Sequence, residues 1–290
     1  KQTRCAVNPE MGQETTQVPE PEPGHIVVIG GGPAGLEAAL TAADRGRQVT
    51  LLERESTLGG QLKLAAGFAS KPHFQRLLDY FLDEVDRAEI QIYLDTVVNL
   101  DLVQSLQPDC LIVATGGVPR SLILDGSTPH EHVVQATEIL ATRESLTGEV
   151  VVVGGGLVGL DVAEVLSTTA DRVTIIEKGS RAGSVLEWNL CKMRLALLRH
   201  YGVNIMLQSQ LIRCERSAVM VCNPSGDELR IQADVLVLAL GSVPDNPLPQ
   251  LAEALSCPQT FIGDCRNPAG LTEALGQGRS AGRMSISHNA

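Results

Sequence analysis

Short apolar runs alternate along the chain with stretches in which apolar residues recur at helical spacing. Runs at 26–29 and 150–153 each lead into a glycine-rich turn and then into a helical pattern. Further helices are predicted at 74–88, 134–141, 188–200 and 271–283, and a further strand at 90–98. Strands that alternate with helices are typical of α/β folds with parallel sheets.

One stretch of this pattern occurs twice. Residues 24–56 align without a gap on residues 148–180, and 13 of the 33 positions are identical. Each copy contains an apolar run, the pattern G-x-G-x-x-G, a helical stretch, a second apolar run and a glutamate. The motif residues are Gly30, Gly32, Gly35 and Glu53 in the first copy, and Gly154, Gly156, Gly159 and Glu177 in the second.

The residue types of this motif fit a dinucleotide. The first glycine permits a tight turn, the second lets a pyrophosphate approach the backbone, and the third lets the helix pack closely on the strand. The pyrophosphate then lies at a helix N-terminus, where unpaired N–H groups and the helix dipole favour negative charge. The acid about 20 residues later accepts a hydrogen bond from a ribose hydroxyl. Two complete copies therefore predict two Rossmann-like domains and two bound dinucleotides.

The similarity between the two halves continues beyond this motif. Residues 109–120 and 233–246 share an aspartate, an apolar strand, a glycine and a Val-Pro pair. The last strand and helix belong to neither copy, so we expect them to complete the first domain. The predicted organisation is an extended segment, a first domain in two parts, a connection and an inserted second domain: 1–23, 24–120 with 245–290, 121–147 and 148–244.

Composition narrows the function classes. The chain has 290 residues, of which 43% are apolar and 20% charged, which is ordinary for two globular domains. Its net charge of −11 and its aromatic content of 3% argue against a nucleic-acid partner, which needs clustered basic residues or stacking rings. No apolar run reaches the length of a membrane span.

The order of motifs resembles a known superfamily. GGGPAGLEAA, Glu53, ATGG, GGGLVGLDVA, Glu177, ALG and IGD are similar to the two-dinucleotide flavoproteins of the pyridine nucleotide-disulfide reductase superfamily. RCAVNPEMG, LGGQL and IGDCRNPAGLTEAL resemble the C-terminal half of the 2,4-dienoyl-CoA reductase, enoate reductase and trimethylamine dehydrogenase family. In that family a TIM barrel holds FMN beside a 4Fe-4S cluster. The resemblance implies that the chain is the C-terminal part of a longer enzyme.

Cys5 of CAVNP matches the fourth cysteine that ligates the cluster in that family. The other three cysteines and the barrel do not occur in this sequence, and the cluster needs four ligands. We therefore expect this polypeptide alone to carry neither FMN nor an iron–sulfur centre. The barrel of the parent chain is its expected partner, and the sequence leaves a homo-oligomer open.

The resemblance also implies a cofactor for each domain. The first is expected to bind FAD through residues that match the family motifs: Gly30, Gly32, Pro33, Ala34, Gly35, Glu53, Arg54, Gly60, Gln61, Thr115, Gly116 and Asp264. The second is expected to bind NADH or NADPH through Gly154, Gly156, Leu157, Gly159, Asp161, Glu177 and Gly241. Glu53 and Glu177 would accept ribose hydroxyls. Asp161 would lie near the nicotinamide, and Asp264 near the ribityl or pyrophosphate part of FAD.

The residue types around Glu177 bear on the choice of coenzyme. A carboxylate accepts the free 2′-hydroxyl of NADH and repels the 2′-phosphate of NADPH, whereas NADPH sites place an arginine nearby. Lys178 and Arg181 follow closely, and we expect both to be solvated. We favour NADH, and the sequence leaves NADPH open.

The seven cysteines are scattered, and none stands in a C-x-x-C pair. This pattern favours a reducing cytoplasm and packed thiols, with Cys110 and Cys265 among them. A disulfide reductase is disfavoured, because such an enzyme places two closely spaced cysteines against its flavin. His130-Glu131-His132 lacks further ligands at a suitable spacing, so we expect a solvated loop there instead of a metal site.

The implied reaction is hydride transfer from NAD(P)H to FAD, for which we nominate no catalytic acid or base in this chain. In the parent enzyme, electrons would continue through the cluster and FMN to a conjugated enoyl or dienoyl substrate. One alternative is a structural module that holds ADP, as in trimethylamine dehydrogenases, although two intact glycine motifs argue against it. A second alternative is an amine demethylase in which electrons leave the barrel.

Overall fold

A computed structural model of the chain describes residues 5, 8, 11–12, 23–68, 70–122, 130–245 and 255–284. Most of the predicted extended segment therefore lies outside the described residues. The described residues divide into two compact units. The first takes the residues up to Val118 and those from Ser242 onward, and the second takes 119–241.

A five-stranded parallel sheet forms the centre of the first unit. Its strands are β1 (His25–Ile29), β2 (Gln48–Leu52), β3 (Ile90–Tyr93), β4 (Cys110–Val113) and the last strand of the chain, β15 (Gln259–Phe261). Their spatial order is β15-β4-β1-β2-β3. Both faces of β1 are buried, which explains its continuous apolar sequence.

Helices cover both faces of this sheet. They are α1 (Pro33–Asp44), α2 (Leu62–Ala66), α3 (Pro72–Arg87), α4 (Leu100–Leu106) and the last helix of the chain, α8 (Leu271–Gly282). Helix α8 packs on α1 with its backbone close to the backbone of α1, because a Cβ atom at Gly278 would overlap the carbonyl oxygen of Ala34. The chain thus returns after the second unit to complete the first, as predicted.

The second unit repeats this plan. Its parallel strands are β6 (Val133–Gln135), β7 (Glu149–Val153), β8 (Arg172–Ile176), β9 (Asn204–Met206) and β13 (Val235–Leu238), in the order β6-β13-β7-β8-β9. Its helices are α5 (Ala136–Thr142), α6 (Leu157–Leu166) and α7 (Trp188–His200). An antiparallel sheet is formed by β10 (Gln210–Glu215), β11 (Ala218–Cys222) and β12 (Glu228–Gln232). Strands β5 (Gly117–Pro119) and β14 (Ser242–Pro244) pair where the chain passes between the units.

These elements confirm the predicted fold class, which is two Rossmann-like α/β domains with the second inserted in the first. Helices α3 and α7 also confirm the helices predicted from apolar spacing. The strand predicted at 90–98 was too long. It ends at Tyr93 because Asp95 adopts a left-handed conformation, with φ of 49°, and Thr96 N donates to the carbonyl oxygen of Glu53.

The segment 121–147, which we predicted to be a connection, contributes to the second sheet. Val133–Gln135 pair in parallel with β13, and the helix predicted at 134–141 begins two residues later, at Ala136. Among the described helices, none is long and apolar enough to cross a membrane.

Candidate functional site: two glycine loops

The first glycine loop joins β1 to α1 by a turn that only glycine fits well. Gly30 has φ of 104°, and a Cβ atom there would overlap the carbonyl oxygen of Ala114, at the end of β4. A Cβ atom at Gly35 would overlap the carbonyl oxygen of Gly30. The loop therefore holds the start of α1 close to the carboxyl ends of β1 and β4.

The second glycine loop repeats this geometry between β7 and α6. Gly154 has φ of 107°, and its Cβ would overlap the carbonyl oxygen of Ala239, after β13. Gly159 approaches the carbonyl oxygen of Gly154 as Gly35 approaches that of Gly30. The sequence repeat is therefore also a repeat of backbone conformation.

Both helices begin in a way that suits a bound anion. Gly32 and Gly156 are the N-cap residues of α1 and α6, and in the described part of the chain no side chain caps either helix. The first turn of each helix carries no acidic residue, and among the described residues no atom lies within 4 Å of a Cβ built on Gly156. The N–H groups of the first turn are thus uncapped, and such groups favour an anion such as a pyrophosphate.

Each loop is fixed by the glutamate at the end of the second strand. Glu53 accepts hydrogen bonds from Gly31 N at 2.6 Å and from Glu55 N at 2.8 Å. Glu177 does the same with Gly155 N at 2.7 Å and Gly179 N at 2.6 Å. A carboxylate has about four lone-pair positions, so both acids can still accept a ribose hydroxyl. The donors and acceptors of both loops therefore fit a dinucleotide.

Gly60, Gln61 and Leu157 lie beside these loops. A Cβ on Gly60 would come within 2.9 Å of the Cα of Gly32, which brings the segment after β2 against the first loop. Gln61 Nε2 donates to the carbonyl oxygen of Gly117 at 3.4 Å. Leu157 is the first residue of α6 and is 43% exposed, so it can contact a ligand.

Asp245, which was not predicted from the sequence, contacts three predicted site residues: Thr115, Gly116 and Arg54. Asp245 accepts a hydrogen bond from the hydroxyl of Thr115 at its carbonyl oxygen, and its own N–H donates to the carbonyl oxygen of Gly116 at 3.0 Å. Its carboxylate lies 3.2 Å from Arg54 Nη1. Asp245 thus connects the end of β2 to the turn after β4. Asp245 follows the Val-Pro pair of the second half, and the sequence pattern gives no indication of these contacts.

Asp264 lies in a short 3-10 helix (Gly263–Cys265) after β15, where its carboxylate accepts from Ala269 N at 3.0 Å. This turn is held by a second missed residue, Gln277 of α8, whose side-chain oxygen accepts from Gly263 N at 2.7 Å. In the second unit, Gly241 has φ of 80°, and no atom of the described residues lies within 4 Å of a Cβ built there. The turn at Gly241 is therefore open.

Asp161 is paired with a third missed residue. Its Oδ1 atom lies 2.7 Å from Nη2 of Arg194, and Oε2 of Glu164 lies 2.7 Å from the same nitrogen. Arg194 and Asp161 are each 13% exposed and Glu164 is 18% exposed, so the three charges form a largely buried cluster on α6 and α7.

The histidine segment differs from the prediction. His130 is 8% exposed, so it does not belong to a solvated loop. Its Nδ1 atom accepts from His132 N, which leaves Nε2 to donate to the carbonyl oxygen of Ala233 at 2.9 Å. Glu131 and His132 are exposed. Among the described residues, no group of three His, Cys, Asp or Glu side chains could hold a metal ion.

The predicted packed thiols are buried. Cys110 is 6% exposed and Cys265 is 4% exposed. Burial raises the pKa of Cys110 to about 11 and also raises the pKa of Cys257. A thiol with a raised pKa is a poor nucleophile near neutral pH. Cys5, the residue that matches a cluster ligand, is partly exposed.

Similarity to known proteins agrees with this geometry. Bilirubin reductase of Mediterraneibacter gnavus is 32% identical over 267 residues, which cover 91% of this chain and 41% of that protein. NADH oxidase of Thermoanaerobacter brockii is 32% identical over 282 residues, which cover 95% of this chain and 43% of that protein. The solved structure of 2-naphthoyl-CoA reductase with 2-naphthoyl-CoA matches with a TM-score of 0.88 at 27% identity, over 96% of this chain and 43% of that one. The chain thus spans less than half the length of these relatives.

A match to a protein-family model identifies the family of the chain. The model of the pyridine nucleotide-disulphide oxidoreductases matches residues 24–263, which include both glycine loops and both glutamates. FAD and NAD(P)H are the cofactors that this domain implies, and both loops fit them. The chain therefore belongs to the pyridine nucleotide-disulphide oxidoreductase family.

Proposed function

We propose that the chain is a flavoprotein reductase module in which NADH bound to the second unit reduces FAD bound to the first. The observation that carries this proposal is the repeat of an uncapped helix N-terminus behind a glycine loop, with a fixed carboxylate beside it. The uncapped N-terminus is not needed for folding alone, since a side-chain cap would stabilise each helix by about 1 kcal/mol. Two such sites in one chain support two dinucleotides.

In the first unit, the glycine loop and the N-terminus of α1 would hold the pyrophosphate of FAD. Glu53 would accept a hydroxyl of the adenosine ribose, with Arg54 beside it. The remaining predicted residues would line the rest of the cofactor: Gly60, Gln61, Thr115, Gly116 and Asp264. Asp245 and Gln277 would support them through the contacts to Thr115, Arg54 and Gly263.

In the second unit, the N-terminus of α6 would hold the pyrophosphate of NADH and Glu177 its adenosine ribose. Asp161 would lie near the nicotinamide, and the open turn at Gly241 would let the backbone approach it. We propose NADH as the coenzyme because the Glu177 carboxylate would repel a 2′-phosphate. The nearest arginine in sequence, Arg181, supports this choice, since its guanidinium donates to the carbonyl oxygen of Ser184 and lies over the ring of Trp188.

When bound, the two cofactors supply the chemistry, which is the transfer of a hydride from the nicotinamide to the flavin. The contribution of the protein is to bind both molecules, to orient them and to exclude water. No side chain of this chain is required to donate or accept a proton in that step, so we assign no catalytic acid or base.

We further propose that the module works within a longer enzyme, since the chain spans 41% and 43% of two relatives. An FMN-binding TIM barrel with a 4Fe-4S cluster would receive the electrons, Cys5 would be one cluster ligand, and a conjugated enoyl or dienoyl compound would be reduced. The scattered cysteines support the cytoplasm as the location.

The test is to record the visible spectrum of the purified chain and then to titrate it anaerobically with NADH and with NADPH. We expect a flavin spectrum that bleaches with NADH and needs much more NADPH for the same effect. A bound flavin that neither nucleotide bleaches would support the module that only holds a nucleotide. A colourless protein that does not take up added FAD, but binds ADP, would refute the reductase proposal.

A further inference from the structure

The pair formed by Asp161 and Arg194 is built into the contact between α6 and α7. Arg194 lies three residues after Cys191 and four residues before Leu198, both of which are 1% exposed. Residues at this spacing share one face of a helix, so Arg194 lies on the buried face of α7. That face packs against α6, which carries Asp161.

A single nitrogen atom makes both charged contacts. Nη2 of Arg194 lies 2.7 Å from Asp161 and 2.7 Å from Glu164, which are three residues apart on α6. Two carboxylates at this spacing repel each other, and Arg194 compensates both of them. The position of the Asp161 side chain therefore depends on a residue of another helix.

We propose that Arg194 is a positioning residue for hydride transfer, because it holds the Asp161 carboxylate in place at the nicotinamide end of the bound coenzyme. This inference rests on the proposed function. Helix α6 begins where the pyrophosphate would bind, and Asp161 lies about 6 Å further along the helix, at 1.5 Å per residue. The proposed function assigns Glu177 to the adenosine ribose and Asp161, one turn into α6, to the nicotinamide side.

The first copy of the repeat contains a related pair that has no such task. Glu37 occupies the position equivalent to Asp161, and its carboxylate lies 3.4 Å from Nη1 of Arg279 in α8. The residue equivalent to Glu164 is Leu40, which carries no carboxylate. Glu37 and Arg279 join two helices, which makes Arg279 a control for a purely structural role.

The experiment compares Arg194→Ala with Arg279→Ala by anaerobic stopped-flow reduction of the bound flavin over a range of NADH concentrations. We expect Arg194→Ala to lower the limiting rate of flavin reduction by about 10- to 100-fold, because a small displacement of a positioning group has an effect of this size. The NADH concentration at half-saturation should change by less than about 3-fold, since Glu177 and the glycine loop are intact. Arg279→Ala should lower the melting temperature and change the limiting rate by less than about 2-fold.

Two further variants keep the test decisive if Arg194→Ala folds poorly. Arg194→Lys should recover most of the rate, because one ammonium group can replace the single nitrogen that makes both contacts. Asp161→Asn keeps the shape of the side chain and should reproduce the slow reduction. Equal limiting rates in Arg194→Ala, Asp161→Asn and the unaltered protein would overturn the inference. If NADH and NADPH both fail to reduce the unaltered protein, the proposed function is wrong instead.

Discussion

In the first copy of the repeat, α1 packs against α8 and α3, whereas in the second copy α6 packs against α5 and α7. The α1–α8 contact brings two backbones together at Gly278, while Arg194 of α7 joins α6 through charged groups. The two glycine loops in front of these helices nevertheless have the same geometry. A pyrophosphate is bound by backbone atoms, so the loop is constrained and the support behind it can differ. Support behind the first loop therefore combines a close backbone contact with the Glu37–Arg279 ion pair, whereas support behind the second loop includes a cluster of three charges.

Gly278→Val should have the largest effect, because it disturbs the backbone contact between α1 and α8 behind the first glycine loop. The new Cβ would overlap the carbonyl oxygen of Ala34 and force α8 away from α1. We expect a loss of about 3 kcal/mol in stability, since overpacking typically costs 1–3 kcal/mol, and a lower flavin content, since α1 begins at the loop proposed to bind FAD. Thermal unfolding and flavin content would measure it.

Gly276→Ala in the same helix is the matched control, because no atom in the described part of the chain lies within 4 Å of a Cβ built on Gly276. It should raise stability by about 0.5–1 kcal/mol through helix propensity. If Gly278→Val is as stable as Gly276→Ala, the backbone contact between α1 and α8 does not support the first site.

Substitutions in the two glycine loops should have a smaller effect, and each should weaken the binding of a different dinucleotide. Gly32→Ala and Gly156→Ala each add a methyl group to the space in front of a helix N-terminus. Among the described residues, the Cα of Gly60 lies 4.0 Å from a Cβ built on Gly32, and no atom lies within 4 Å of one built on Gly156. Folding should be nearly unaffected, and binding of one dinucleotide should weaken by about 10-fold, which corresponds to 1.4 kcal/mol.

The two variants should differ in which ligand they lose. Gly32→Ala should lower the flavin content, and Gly156→Ala should keep the flavin and raise the NADH concentration needed to bleach it. Equilibrium dialysis of FAD and anaerobic titration with NADH would measure this. The assignment of one cofactor to each loop would be wrong if Gly156→Ala lost its flavin.

The smallest effect concerns the choice of coenzyme in the second unit. Trp188→Ala removes the ring that lies 5.6 Å from the guanidinium of Arg181, and so frees Arg181 to approach a 2′-phosphate. We expect the ratio of kcat/KM for NADPH to that for NADH to rise by about 2- to 5-fold, since an exposed cation–π contact is worth about 0.5–1 kcal/mol.

Lys192→Ala is the control for this change, because Lys192 lies 4.7 Å from the same ring on α7. It should leave the ratio unchanged. A rise in Trp188→Ala that persists after Arg181→Ala is added would show that Arg181 is not the cause.

The parts of the site that the sequence predicted are those encoded by contiguous residues. The glycines at 30 and 154 were predictable because only glycine fits a turn with φ above 100° next to another strand. Glu53 and Glu177 follow at a fixed distance because the intervening helix and strand have a fixed length. The fold class followed from the same local pattern, seen twice.

The residues that were missed act through contacts between distant parts of the chain. Asp245 reaches Thr115 across 130 positions, and the burial of His130, which we expected in a solvated loop, likewise depends on a contact with Ala233 across 103 positions. Arg194 looks like any exposed cation in the helical pattern of 188–200, and only the packing of α7 on α6 brings it to Asp161. Such contacts leave no periodic signal, because each involves one side chain and a partner chosen by the tertiary fold.

The order of the elements along the chain has a consequence for synthesis. Residues 119–241 are contiguous, so the second unit is complete before the ribosome has made β15 and α8. The first unit lacks an outer strand, the turn with Asp264 and the helix behind the first glycine loop until the chain has passed Gly282. Since domains fold as units as they emerge, the proposed pyridine nucleotide site can form during translation, whereas the proposed flavin site waits for the end of the described chain.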